Sequence, residues 1–140
     1  MSKLIVLDAN ILIRALLGEQ VSRLLAQYSE QARFFTTTTC YAEVKLHLPA
    51  ILQKRGLVPD PFLAALTTLA TVVIPLGEEI YTEFEGEAKQ RIAERDLRDW
   101  PLLALALALD CPIWTEDHDF FGIGVATWRT QTVEFYLRQR

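Results

Sequence analysis

Histidine is nearly absent from this sequence: His47 and His118 are the two in 140 residues. A hydrolase that relies on an imidazole base has few places to put one. Cysteine is as scarce. Cys40 and Cys111 lack the spacing of a zinc site or a redox motif, so both read as free, buried thiols of a reducing compartment. Cations are in deficit, 14 Lys and Arg against 18 Asp and Glu, for a net charge of −4. That balance counts against broad electrostatic binding of nucleic acid. It leaves room for an enzyme whose acids hold metal ions that then meet phosphate. No apolar run approaches the ~20 residues of a membrane-spanning helix, so no membrane association is expected. The first strand starts within a few residues of Met1, which predicts no signal peptide and a cytoplasmic protein. Repeats, low-complexity segments and linkers are also missing.

What is present suits one domain spanning residues 1–140. Hydrophobic residues make up 51% and charged residues 23%, enough for a core and against disorder. Residues 4–7 are four apolar residues in a row, the mark of a strand buried on both faces. Asn10 is positioned to cap a helix beginning at Ile11, which Gly18 ends. Residues 19–29 carry helical spacing, and residues 34–38 are β-branched and aromatic, hence a strand. A helix capped by Thr38 or Thr39 then runs to about Arg55, where Pro49 is expected to kink or break it and Gly56 to stop it. Pro59-Asp60-Pro61 reads as a turn, residues 62–70 as a helix, and residues 71–75 as a strand. Residues 77–95 read as one long amphipathic helix with acids first and bases last, a balance that suits the helix dipole. A short edge strand near residues 125–128 and a helix over residues 132–138 close the chain. This alternation predicts an α/β fold, with a parallel sheet covered on both faces.

Residues 96–122 organise the rest. Acids open the stretch at Asp96 and Asp99, and residues 100–109 then carry no charge, which predicts a helix buried on most of its surface. Pro101 fits its first turn. Residues 112–114 are too short for a helix and read as a buried strand, ending in Thr115-Glu116-Asp117-His118-Asp119. The strand at residues 4–7 likewise ends on Asp8, with Asn10 two residues on. Alternate residues of extended backbone point the same way, so Asp8 and Asn10 can converge, as can Thr115, Asp117 and Asp119. In open α/β sheets, ligands bind beyond the carboxyl ends of the strands. Two hydrophobic strands that each end in acids therefore predict one shared acidic pocket.

Each acid also has an ordinary explanation. Asp99 can cap the apolar helix, Glu43 can be a surface acid favoured by a helix dipole, and Asp117 and Asp119 can serve a turn. Asp96 is a loop acid or a supporting one, while Asn10 and Thr115 are capable of supporting polar contacts. His118 reads as an exposed loop residue, and Glu116 and Asp110 as solvated. Arg14, Lys45, Arg95 and Arg98 flank the acids as surface charges or as contacts for a nucleic-acid backbone.

Taken together, Asp8-Ala-Asn10, Glu43 after a strand, Asp99 before LLALALAL, and Thr115-Glu-Asp117-His-Asp119-Phe resemble the PIN domain, particularly the VapC-type toxin nucleases. The resemblance spans the chain in order. It implies a three-layer α/β/α fold around a central parallel sheet of four to five strands. It also implies endonucleolytic cleavage of RNA with Mg²⁺ or Mn²⁺, a small antitoxin partner covering the pocket, and a homodimer. By position, Asp8, Glu43, Asp99 and Asp117 match the family's acids, Asp119 a further one, and Thr38 or Thr39 a polar residue near the second strand's end. Thr39-Cys40-Tyr41-Ala42 departs from the pattern in lacking a serine before Glu43. Such acids crowded together raise one another's pKa without a cation. A bound divalent ion acidifies water and neutralises phosphate charge without a histidine base.

Three alternatives stand beside this. A haloacid-dehalogenase-like phosphatase wants Asp where this chain has Asn10, plus a catalytic Lys. A response-regulator receiver also needs a Lys at a later strand end, where this chain has Thr115 and Glu116. A non-catalytic RNA- or protein-binding module on a PIN-like scaffold would be signalled by lost acids.

Overall fold

The structure, a computed structural model, describes residues 2–139. Five strands form one sheet: β1 (Lys3–Leu7), β2 (Ala32–Thr37), β3 (Val73–Leu76), β4 (Ile113–Trp114) and β5 (Thr127–Trp128). Their order is β3-β2-β1-β4-β5, and every neighbouring pair is parallel. From β1 the chain steps outward to β2 and β3, then returns to the other side of β1 for β4 and β5. The reversal puts the sheet's switch point between the carboxyl ends of β1 and β4, where α/β sheets open a crevice.

The helices are α1 (Ala9–Leu17), α2 (Gln20–Gln27), α3 (Thr38–Lys54), α4 (Pro59–Leu69), α5 (Glu78–Tyr81), α6 (Glu85–Ile92), α7 (Trp100–Leu109) and α8 (Val133–Leu137). Parallel crossovers are right-handed. Those leading to β2 and β3 therefore lie on one face, and the crossover back to β4 lies on the other. Packing agrees: α1 contacts α2, α3 and α4, whereas α7 contacts α5, α6, β1 and β2. The result is the expected three-layer α/β/α fold. Residues Ile5, Val6, Leu7, Ile113 and Trp114 are fully buried at its centre.

The uncharged α7 is buried from Pro101 to Ala106, as its composition predicts. It ends on Asp110, whose left-handed backbone (φ 52) suits the short polar side chains that tolerate this region. Gly56 (φ 65) ends α3 as expected.

Three local expectations are corrected. Pro49 does not break α3, which runs continuously through it. Tyr41, Val44, Leu48 and Leu52 form a buried stripe at helical spacing, so packing holds the helix on both sides of the proline. Pro59-Asp60-Pro61 is the first turn of α4 rather than a separate turn; fixed proline φ suits a helix start. Residues 77–95 are not one helix. A 3₁₀ turn at Thr82–Phe84 divides α5 from α6. There the Thr82 hydroxyl donates to the Glu78 carbonyl at 2.6 Å, a side-chain bond that competes with the helical ladder.

Candidate active site

Asp8 stands where β1 becomes α1. Its carboxylate accepts from the Ile11 N–H at 3.0 Å and caps α1. Asp8, not Asn10, is therefore the cap, because α1 begins at once after the strand and leaves Asn10 inside its first turn. The second Asp8 oxygen accepts from the Thr115 hydroxyl at the end of β4. Thr115 is fully buried and in turn accepts from the Asp117 N–H at 2.9 Å. One hydroxyl thus ties together the two strand ends at the switch point.

Asp99 ends a 3₁₀ turn, Leu97–Asp99, immediately before α7. Asp117 opens another, His118–Phe120, where its carboxylate accepts from the Asp119 N–H at 2.9 Å. Glu43 lies in the second turn of α3, a helix capped by Thr37 rather than by Thr38 or Thr39: the Thr37 hydroxyl accepts from the Cys40 N–H at 3.0 Å. The strand before it ends a residue early, and the cap shifts with it.

These segments meet in one cavity of about 80 Å³, lined by Asp8, Glu43, Asp99 and Asp117 together with Asn10, Thr37, Thr39, Cys40 and Arg98. A water needs ~10–15 Å³ of such space, so there is room for a few waters or a hydrated cation. One carboxylate oxygen each from Asp99, Asp117 and Asp119 lie within 4.8 Å of one another. The two groupings overlap at Asp99 and Asp117. Asp8 and Glu43 line the cavity without joining the close triad, and Asp119 joins the triad from outside the cavity lining.

The remaining sequence candidates separate. Asp96 does not line the cavity. It caps its own turn by accepting from the Arg98 N–H and forms a bidentate pair with the Arg98 guanidinium at 3.0 and 2.9 Å. That pairing holds its carboxyl below the usual range. His118 is exposed, its ring edge-on to Phe121. Glu116 is not solvated as expected: it accepts from the Thr130 N–H at 2.8 Å and the Arg129 guanidinium at 3.0 Å, anchoring the end of β5. Of the flanking cations named from the sequence, Arg98 lines the cavity and Arg14, Lys45 and Arg95 do not; Thr37 was missed as a cavity wall. A β-branched hydroxyl at a strand end, three residues before the N–H it caps, was the available signal for Thr37.

Burial pushes Asp8 up to about 6; the nearby Asp117 adds to this, while the Thr115 and Ile11 hydrogen bonds oppose it. Burial and then Asp96, Asp117, Glu43 and Asp119 push Asp99 up to about 7. Both groups hold protons in the folded chain at pH values where an unfolded chain, with its carboxyl near 3.8, has released them. The folded state binds more protons, so stability falls as pH rises from about 4 to about 7. Each pKa unit is about 1.4 kcal/mol, which makes the well-buried Asp8 worth on the order of 3 kcal/mol. Asp99 adds less than its displacement suggests, because water screens it. The melting temperature in EDTA should therefore be roughly 5–10 °C lower at pH 8 than at pH 5. A melting temperature that rises across this interval would contradict the crowding of these acids.

The cluster fits a hard divalent cation. Its close triad offers carboxylate oxygens only, the donor type that Mg²⁺ and Mn²⁺ take. Cys40 on the cavity wall is kept a neutral thiol by burial, which leaves the carboxylates as the charged donors.

The model of one family, described as PIN domain, matches residues 6–138. No curated protein matches the chain. Solved structures share the fold, among them the following three. The structure of VapBC2 from Rickettsia felis bound to a DNA fragment from their promoter aligns at a TM-score of 0.70 with 13% identity, covering 90% of this chain and 98% of that one. VapBC-1 from nontypeable Haemophilus influenzae aligns at 0.63 with 18% identity, covering 92% and 99%. FitAB bound to the IR36 DNA fragment aligns at 0.60 with 19% identity, covering 90% and 94%.

Proposed function

The chain belongs to the PIN domain family, and from that premise we propose that it is a metal-dependent endoribonuclease, the toxin of a toxin–antitoxin pair. The observation that carries this reading is the convergence of Asp8, Glu43, Asp99 and Asp117, from four separate segments, on one cavity at the switch point of the sheet. A site that concentrates like charge in this way is best explained by a cation that offsets it.

Asp99, Asp117 and Asp119 would hold Mg²⁺ or Mn²⁺, and Asp8, at the end of β1 on the same cavity, would add a further carboxylate. When bound, the cation polarises the phosphodiester and lowers the pKa of water. Asp8 is kept in place by the Ile11 N–H and the Thr115 hydroxyl. Glu43, on the α3 wall, offers a carboxylate acceptor for the proton of an attacking water. Arg98 is the cation of the cavity lining, placed to meet an RNA phosphate. The likeness to VapBC complexes supports an antitoxin partner; a small antitoxin that covers the pocket, and a homodimer, are part of the same proposal. A phosphatase or receiver reading is disfavoured, since among the described residues no lysine lines the cavity. A binding-only module is disfavoured because the acids are all retained.

Purified protein should cleave RNA with Mn²⁺ or Mg²⁺ and lose cleavage in EDTA; full activity in EDTA would refute the metal mechanism. Saturating Mn²⁺ should also raise the melting temperature by roughly 5–10 °C. A ligand that binds only the native state contributes about 2.7 kcal/mol at a hundredfold excess over Kd. Asp60→Asn, remote in α4, should leave that shift intact. If Asp8, Asp99 and Asp117 variants all keep it too, the ion binds elsewhere.

A further inference from the structure

Residues 119–124 leave the 3₁₀ turn His118–Phe120 and form a strap held to the end of α6. Three alternate carbonyls of this strap are gripped by two arginines, Arg91 in the last turn of α6 and Arg95 just beyond its end. The Arg95 guanidinium donates to the carbonyl of Asp119 at 2.9 Å and to that of Phe121. Arg91 donates to the carbonyl of Ile123 at 3.2 Å and is itself oriented by Glu87 at 2.8 Å. Gly122, between the second and third of these carbonyls, and Gly124, just after the last, have left-handed backbone, with φ of 77° and 86°, which favours glycine. A Cβ on Gly124 would stand 2.6 Å from the Arg91 guanidinium, so a larger residue there would displace the flexible end of Arg91 and loosen its grip.

Arg95 also immediately precedes the turn that ends in Asp99. Its backbone is therefore attached to one arm of the acidic triad, while its side chain holds the main chain of another, Asp119. Arg98 is paired with Asp96 in the same region, whereas Arg95 is directed at backbone carbonyls. Resting on the metal-dependent reading above, we propose that Arg95 is a positioning residue that sets the separation of Asp99 and Asp119 and so tunes cation affinity. Arg91 secures the far end of the same strap.

The test is a thermodynamic cycle on Mn²⁺ binding, measured by electron paramagnetic resonance in wild type, Arg95→Gln, Asp119→Asn and the double variant. Partners that orient metal ligands typically change metal affinity by 10–100-fold. Arg95→Gln should therefore weaken Mn²⁺ by about tenfold, and should add little to the loss already caused by Asp119→Asn, because coupled residues are not additive. Unchanged affinity in Arg95→Gln, or fully additive losses, would overturn the proposal, as would a raised KM for RNA at unchanged Mn²⁺ affinity. If Arg95→Gln does not fold, Arg95→Lys, which keeps one cationic donor, completes the same cycle. A wild type that binds Mn²⁺ but cuts no RNA would remove the nuclease reading and leave this cycle intact. A wild type that binds no Mn²⁺ would overturn both.

Discussion

In Asp99→Asn, RNA cleavage should fall about 10³-fold while the metal-free protein becomes more stable. Asp99 is shared by the cavity and by the close triad, so an amide in its place removes charge from the cation's surroundings while keeping the shape. Three decades of rate correspond to about 4 kcal/mol of transition-state stabilisation. The stability change has the opposite sign for a defined reason. With its carboxyl pushed up to about 7 by burial and by Asp96, Asp117, Glu43 and Asp119, Asp99 is a repelled charge in the folded chain above that pH. Its cost is absent below about pH 4, where it is protonated in both states, and accrues as pH rises from about 4 to about 7. Asparagine never incurs it. Melting in EDTA at pH 8 should therefore occur several degrees above wild type, and the gain should shrink at pH 5. Cleavage within tenfold of wild type would remove Asp99 from the site. A joint loss of activity and stability would mean that the variant misfolds.

Leu105→Ala should cost about 2–5 kcal/mol without affecting the acids directly. Leu105 is fully buried in α7, which packs on β1 and β2 and against α5 and α6. Its helix neighbours Ala104 and Ala106 are buried too, so the void opens inside the packed interior rather than toward water. The change should appear in urea as a lower midpoint at unchanged slope. Leu97→Ala, at a position 48% exposed, should stay within about 0.5 kcal/mol of wild type. A cost at Leu105 below about 1 kcal/mol would show that α7 is not the buried support of the site.

The site was legible in the sequence to the extent that its acids sit next to strongly patterned elements. Asp8 follows an apolar run, Asp117 follows another, and Asp99 precedes an uncharged stretch. Burial of a short strand or a whole helix leaves a compositional mark that survives without knowing the partners. The errors fell where a local signal competed with packing. Pro49 broke the pattern of α3 but not the helix, because the buried stripe runs past it on both sides. Asn10 looked like a cap, and Asp8 took that role because no loop separates β1 from α1.

The sequence by itself determined the alternation of apolar strands and amphipathic helices, and with it a parallel sheet with acids at its carboxyl ends. Periodicity and burial are properties of residues near one another in the chain, so they can be read one segment at a time. Only the tertiary structure decided which acids meet. Thr115 binds Asp8 across 107 positions and Arg95 holds the Asp119 carbonyl across 24, while Asp96 turns away to pair with Arg98. These hydrogen bonds form only once the crossovers have brought distant strand ends and turns into register. Their geometry belongs to the assembled sheet and its two helical layers.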